Sequence, residues 1–67
     1  MRYVYAVFVP EDSGLDRLYS TARKAIKRLK QYGDVKRGAV ASLHRGEIVY
    51  NTDDEANQAY ASRLPVN

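Results

Sequence analysis

Residues 13–33 read SGLDRLYSTARKAIKRLKQYG, and the reading of this stretch decides the fold. Leu15, Leu18, Tyr19, Ala22, Ala25, Ile26, Leu29 and Tyr32 recur at helical spacing. Turned about a helix axis they occupy one apolar arc of roughly 140°. Arg17, Arg23, Lys24, Lys27, Arg28 and Lys30 all fall outside that arc. Ser13 is a candidate cap, Asp16 suits the positive end of the helix dipole, and Gly33 is a stop signal. The spacing predicts one amphipathic helix over 14–32, with its apolar stripe buried and its basic face outward.

Before it, residues 2–9 (RYVYAVFV) read as a strand of β-branched and aromatic residues. Tyr3, Tyr5, Val7 and Val9 point one way, Val4, Ala6 and Phe8 the other, so both faces call for cover. Pro10, Glu11 and Asp12 form the turn into the helix. After it, residues 35–44 (VKRGAVASLH) read as a second strand, with Gly38 as a bulge. Arg45-Gly46 reads as a hairpin turn into a third strand, 47–51. Thr52, Asp53, Asp54 and Glu55 are the capping start of a second helix over 53–63, ended by Leu64-Pro65. The order β-α-β-β-α predicts an α+β domain over residues 1–67. Its small three-stranded sheet carries helices on one face, as in a truncated ferredoxin-like or split βαβ unit. The last three residues are too few to supply a fourth strand.

Sixty-seven residues bury only about 60% of the surface that the unfolded chain exposes. Small domains supplement such a core with disulfides, a metal or a partner subunit. There is no cysteine and one histidine, His44, so a disulfide, a thiolate zinc site or a histidine-rich metal site is excluded. A homodimer is the expected supplement. The absence of cysteine, of a signal-peptide pattern and of a run near 20 apolar residues predicts a soluble, cytoplasmic protein with no membrane partner.

Net charge is +3, unevenly spread. Residues 14–32 carry six bases and one acid, whereas 51–67 carry Arg63 against Asp53, Asp54 and Glu55. Arg23 and Lys27, and Lys24 and Arg28, are like-charge pairs four apart, costing a few tenths of a kcal/mol each in a helix. A solvated, solubilising face is one explanation; a surface for phosphates or an acidic partner is the other. Lys36, Arg37 and Arg45, around the expected hairpin, extend that surface if they share its side. Six tyrosines stand in this short chain. Tyr3, Tyr5 and Tyr50, on strands, are candidates for a core or dimer interface, for a protein partner, or for stacking on unpaired bases. His44 has no nucleophile beside it, and the three consecutive acids are explained by helix capping rather than metal binding. No phosphate-binding glycine loop, hydrolase elbow or zinc signature occurs. No catalytic residue, metal site, cofactor or small-molecule substrate is expected.

The opening MRYVYAVFVPEDSG resembles the start of HicB-type antitoxins, which begin with a similar apolar strand, an acidic turn and a glycine. Members of that family neutralise a small RNA-cleaving toxin and often carry a DNA-binding tail. The resemblance covers these fourteen residues. The family continues with a second strand ending in an FPDLPG-like segment, absent here, and no functional residue carries over.

The expected function is a non-catalytic basic binding protein or regulator acting on nucleic acid, or on a complex that handles it. Arg17, Arg23, Lys24, Lys27, Arg28 and Lys30 would neutralise phosphates, and Lys36, Arg37 and Arg45 would extend the contact. The alternative is a small inhibitor of the kind that viruses and mobile elements encode, binding a host protein directly.

Overall fold

A computed structural model describes residues 2–9, 14–52 and 58–66 of the chain. The elements are β1 (Arg2–Val9), β2 (Gly14–Tyr19), α1 (Ala22–Leu29), α2 (Ala39–His44), β3 (Val49–Tyr50) and β4 (Tyr60–Val66). The four strands form one sheet in the order β2-β1-β4-β3, and every pairing is antiparallel. The class is α+β, with two helices on one face of the sheet. No helix among the described residues is long and apolar enough to cross a membrane.

The helix expected over 14–32 is two elements. Gly14–Tyr19 pairs with β1, and only Ala22–Leu29 is helical. A bulge explains the misreading. Val7 faces Arg17 but Phe8 faces Leu15, so Asp16 is an extra residue in β2. The insertion puts Leu15 and Leu18, three apart, on one face of a strand, which imitates helical spacing. The helix proper begins at Thr21, whose extended backbone and side-chain oxygen cap Lys24 N at 3.2 Å. Ala22, Ala25, Ile26 and Leu29 are its buried stripe. Ser13 and the turn at Pro10–Asp12 lie outside the described residues.

The strand expected over 35–44 is also corrected. Val35 makes only an isolated bridge to Asn51, and Ala39–His44 is α2. Gly38, with φ of 81°, turns the chain into that helix instead of forming a bulge. Ala39 and Leu43, four apart, are its buried pair. Arg45-Gly46 is not a hairpin turn but the end of α2. Glu47 N bonds Ser42 O and Gly46 N bonds Leu43 O, both at 3.0 Å, around a Gly46 φ of 89°. This is a Schellman end, which satisfies the last carbonyls. The strand expected over 47–51 shortens to Val49–Tyr50.

The helix expected over 53–63 is overturned where it is described. Tyr60–Arg63 belongs to β4, which runs on through Leu64, Pro65 and Val66 between β1 and β3. Asp53, Asp54 and Glu55 lie outside the described residues. Ala61 alternates into the core, while Tyr60, Ser62, Leu64 and Val66 take the opposite face. Pro65 is tolerated because β3 pairs only with Tyr60 and Ala61, which leaves that side of β4 an edge further along. The split βαβ topology is replaced accordingly. No parallel crossover links the described strands, and the chain's two end strands lie side by side, with Arg2 opposite Val66 and Phe8 opposite Tyr60.

The core lies between the sheet and the helices. Tyr5 and Val7 of β1, Val49 of β3 and Ala61 of β4 meet Ala22, Ala25, Ile26 and Leu29 of α1 and Ala39 and Leu43 of α2. The extents of 34 × 26 × 15 Å fit one sheet and one helical layer. The opposite sheet face carries Leu15, Leu18, Val4, Ala6, Phe8, Tyr60, Leu64, Val66 and Tyr50. Phe8 stacks on Tyr60 with ring centroids 4.9 Å apart, and Tyr60 meets Tyr50 at 5.4 Å.

Candidate functional site

The bulge at Asp16 sets the site. In a regular strand Asp16 and Arg17 would point to opposite faces; the extra residue lets both reach the helical side. Arg17 then lines a groove of about 270 Å³ between β2 and α1, with Tyr19, Lys24, Lys27, Arg28 and Gln31. The four α1 and post-helix residues follow helical spacing and form one wall. Among the described residues no acid lines this groove.

Arg28 differs from its neighbours. It donates to Asp16 through Nε at 3.0 Å and Nη2 at 3.2 Å, to Gln31 Oε1 at 2.6 Å and to Tyr32 Oη at 3.0 Å. Tyr32 in turn donates to Asp16 Oδ1 at 3.1 Å. The hydrogen bonds from Arg28 hold the Asp16 carboxyl below its usual range, and Asp16 raises the guanidinium further. Loss of solvent around the phenol, with the Asp16 charge, raises Tyr32. Arg28 is thus a fixed strut with its charge matched. Arg17, Lys24 and Lys27 make no ion pair among the described residues.

The other expected bases divide. Lys30 lines a second groove, of about 370 Å³, with Lys36 and Arg37 over a floor of Ile26, Val35 and Val40. So Lys36 and Arg37 do reach the helical side, from the loop ahead of α2. Arg23 is exposed on α1 and lines neither groove. Arg45 lies at the end of α2, paired to Glu47 at 2.9 Å with both side chains largely in solvent, an arrangement that contributes little.

The three expected interface tyrosines part company. Tyr5 is buried in the core, its hydroxyl 3.4 Å from His44 Nδ1. Tyr3 lies half-buried under the Arg63 guanidinium, 3.9 Å from the ring centroid. Tyr50 alone is exposed, at the end of the aromatic row on the open sheet face. Tyr19 and Gln31 join the basic groove without having been singled out from sequence. Tyr19 carries no local signal, because the pairing of β2 with β1 brings it there, whereas Gln31 follows Lys24, Lys27 and Arg28 at helical spacing. Among the described residues no three histidines, cysteines or acids come together around a possible metal position.

Comparison with known protein families, with characterised proteins and with solved structures finds no match to this chain.

Proposed function

We propose that this chain is a small non-catalytic binding protein that engages nucleic acid, or a complex that handles it, through the basic side of its helical layer. The observation that supports this reading is the convergence of Arg17, Lys24 and Lys27 on one groove that no acid among the described residues lines. Side chains that merely keep a protein soluble need no convergence, and opposite charges interspersed among them lower their mutual repulsion. Here Asp16, the acid that the β2 bulge turns to this side, is committed to Arg28. Phosphates would be met by Arg17, Lys24 and Lys27, with Lys30, Lys36 and Arg37 extending the track across the second groove. Tyr19 and Gln31 offer a ring and an amide within the first groove. Contacts of this kind position a backbone and read no bases, so the expected binding is weakly sequence-specific. The working unit in this reading is a homodimer.

The test is fluorescence anisotropy with labelled duplex DNA, single-stranded DNA and RNA over a range of salt. On duplex the log–log slope counts about 0.9 per phosphate contact. Lys24→Glu with Lys27→Glu is expected to abolish binding and flatten the slope while Arg45→Glu leaves both nearly unchanged. Unaltered binding by the double variant would overturn the assignment.

A further inference from the structure

The sheet has a second face that nothing in the described chain covers. Leu15 is 51% exposed, Leu18 50% and Tyr50 49%, with Leu64 and Val66 each at 37%. These five come from three strands, and the register places them on one surface around the Phe8–Tyr60 stack. Among the described residues charge stands only at its two ends: Arg2 at the corner opposite Val66, and Lys36, Arg37 and Glu47 beside Ile48 and Tyr50 at the β3 edge. Scattered exposed leucines need no explanation, but a continuous apolar face does.

We propose that a second copy of this chain covers this face, sheet against sheet, giving a four-layer dimer with helices outside and two sheets within. The inference rests on the homodimer reading above and names its surface. Area supports it. The strands are eight, six, two and seven residues long, and at about 3.4 Å per residue and 4.8 Å per strand the plane is roughly 370 Å² before side-chain relief is counted. With the relief of the protruding Leu15, Leu18 and Tyr50 side chains added, two copies together bury on the order of 1,000 Å², at the low end for a specific interface, where weak association is the rule. Charge supports a copy rather than a foreign partner. A face whose centre is apolar, with charges only at its ends, offers a charged partner little to recognise. Two copies of a +3 chain dock here with little repulsion because Arg17, Lys24, Lys27 and Lys30 lie on the helical side and Glu47 stands beside Lys36 and Arg37 at the β3 edge. Identical sheets also share one twist, so they stack with strands nearly aligned about a two-fold axis. The two basic sides then face opposite directions.

Sedimentation velocity over the micromolar range, without nucleic acid, reads the association directly. The wild-type chain is expected to pass from monomer to dimer, and Leu18→Glu and Leu64→Glu, at positions already exposed in one chain, to remain monomeric with unchanged circular dichroism. Isotope-filtered NMR on mixed labelled and unlabelled wild-type protein is a second reading that needs no variant. Contacts between the methyl groups of Leu15, Leu18 or Leu64 in different copies would support the face. A wild-type monomer throughout would overturn the dimer and its surface together. A dimer whose intermolecular contacts lie elsewhere would overturn the surface alone. Neither result bears on the anisotropy test of the basic groove, which stands or falls separately.

Discussion

Asp16 of β2 and Arg28 of α1 form a two-point ion pair across twelve residues, with Oδ2 3.0 Å from Nε and Oδ1 3.2 Å from Nη2. The pair ties an edge strand to the helix that covers it. Because the carboxyl is held below its unfolded value near 3.8, its contribution is complete above that pH and is lost as pH falls through the lower folded value. Tyr32 works at the other limit. Its phenol is raised above 10.0, so its contribution is complete below that pH and is lost as pH rises through the folded value. Asp16→Asn is expected to lower the melting temperature by a few degrees at neutral pH and to blunt the acid loss. Tyr32→Phe is expected to blunt the alkaline loss. Thermal unfolding followed across pH for the three proteins checks both signs.

Leu29 is fully buried where α1 meets the sheet. Leu29→Ala is expected to cost about 2–5 kcal/mol, the usual range for removing a buried leucine side chain. A domain of this size has little stability in reserve, so the variant is expected to be largely unfolded at room temperature in mild urea, where wild type still folds. Equilibrium urea titration measures the difference.

Gly46 and Gly38 separate two causes of strain. Both have positive φ, 89° and 81°, where any other side chain is disfavoured. A Cβ at Gly38 would meet nothing, whereas one at Gly46 would come within 2.9 Å of Arg63 Nη2. That same guanidinium donates to His44 O at 2.7 Å and covers Tyr3. Gly38→Ala is expected to cost about 1 kcal/mol from the backbone alone. Gly46→Ala is expected to cost more, with the excess disappearing in an Arg63→Ala background, which a double-mutant cycle measures.

Asn51 is 1% exposed, and among the described residues neither Oδ1 nor Nδ2 has a hydrogen-bond partner. Its backbone is engaged, with N bonded to Ala59 O at 3.1 Å and O accepting from Gln58 Nε2 at 2.9 Å. A buried polar group without a partner costs about 1–3 kcal/mol. Asn51→Val, which keeps a strand-compatible side chain, is therefore expected to raise stability by about 1 kcal/mol or more. A clear loss of stability on chemical denaturation would instead mean that the amide is bonded.

Parts of the fold were legible locally. β1 is carried by an uninterrupted run of β-branched and aromatic residues, and the body of α1 by Ala22, Ala25, Ile26 and Leu29 at helical spacing. Val49 and Tyr50 fall inside the third strand as read. β2 was not legible, because the bulge at Asp16 gives Leu15 and Leu18 a spacing of three that a helix also produces. The turn residues Ser20 and Thr21, in the middle of the apparent helix, were the one local sign of the break. β4 was hidden by acids that favour a helix start just ahead of it, and Tyr60 to Val66 has no polar–apolar alternation to mark a strand.

The basic site divides the same way. Each cation can be named from the chain, yet which of them meet depends on β2 folding back along β1. That pairing carries Arg17 to Lys24 and Lys27 and turns Asp16 onto Arg28. The sequence by itself determined the class, one sheet with helices on one face, and the buried stripe of α1, because side-chain period is a local property; Leu15 and Leu18, expected in that stripe, stand half exposed on the open sheet face. Only the tertiary structure decided the strand order, the fourth strand and the groove. Hydrogen-bonding groups along the edges of β1 must find partners, and on one side those partners lie at the far end of the chain.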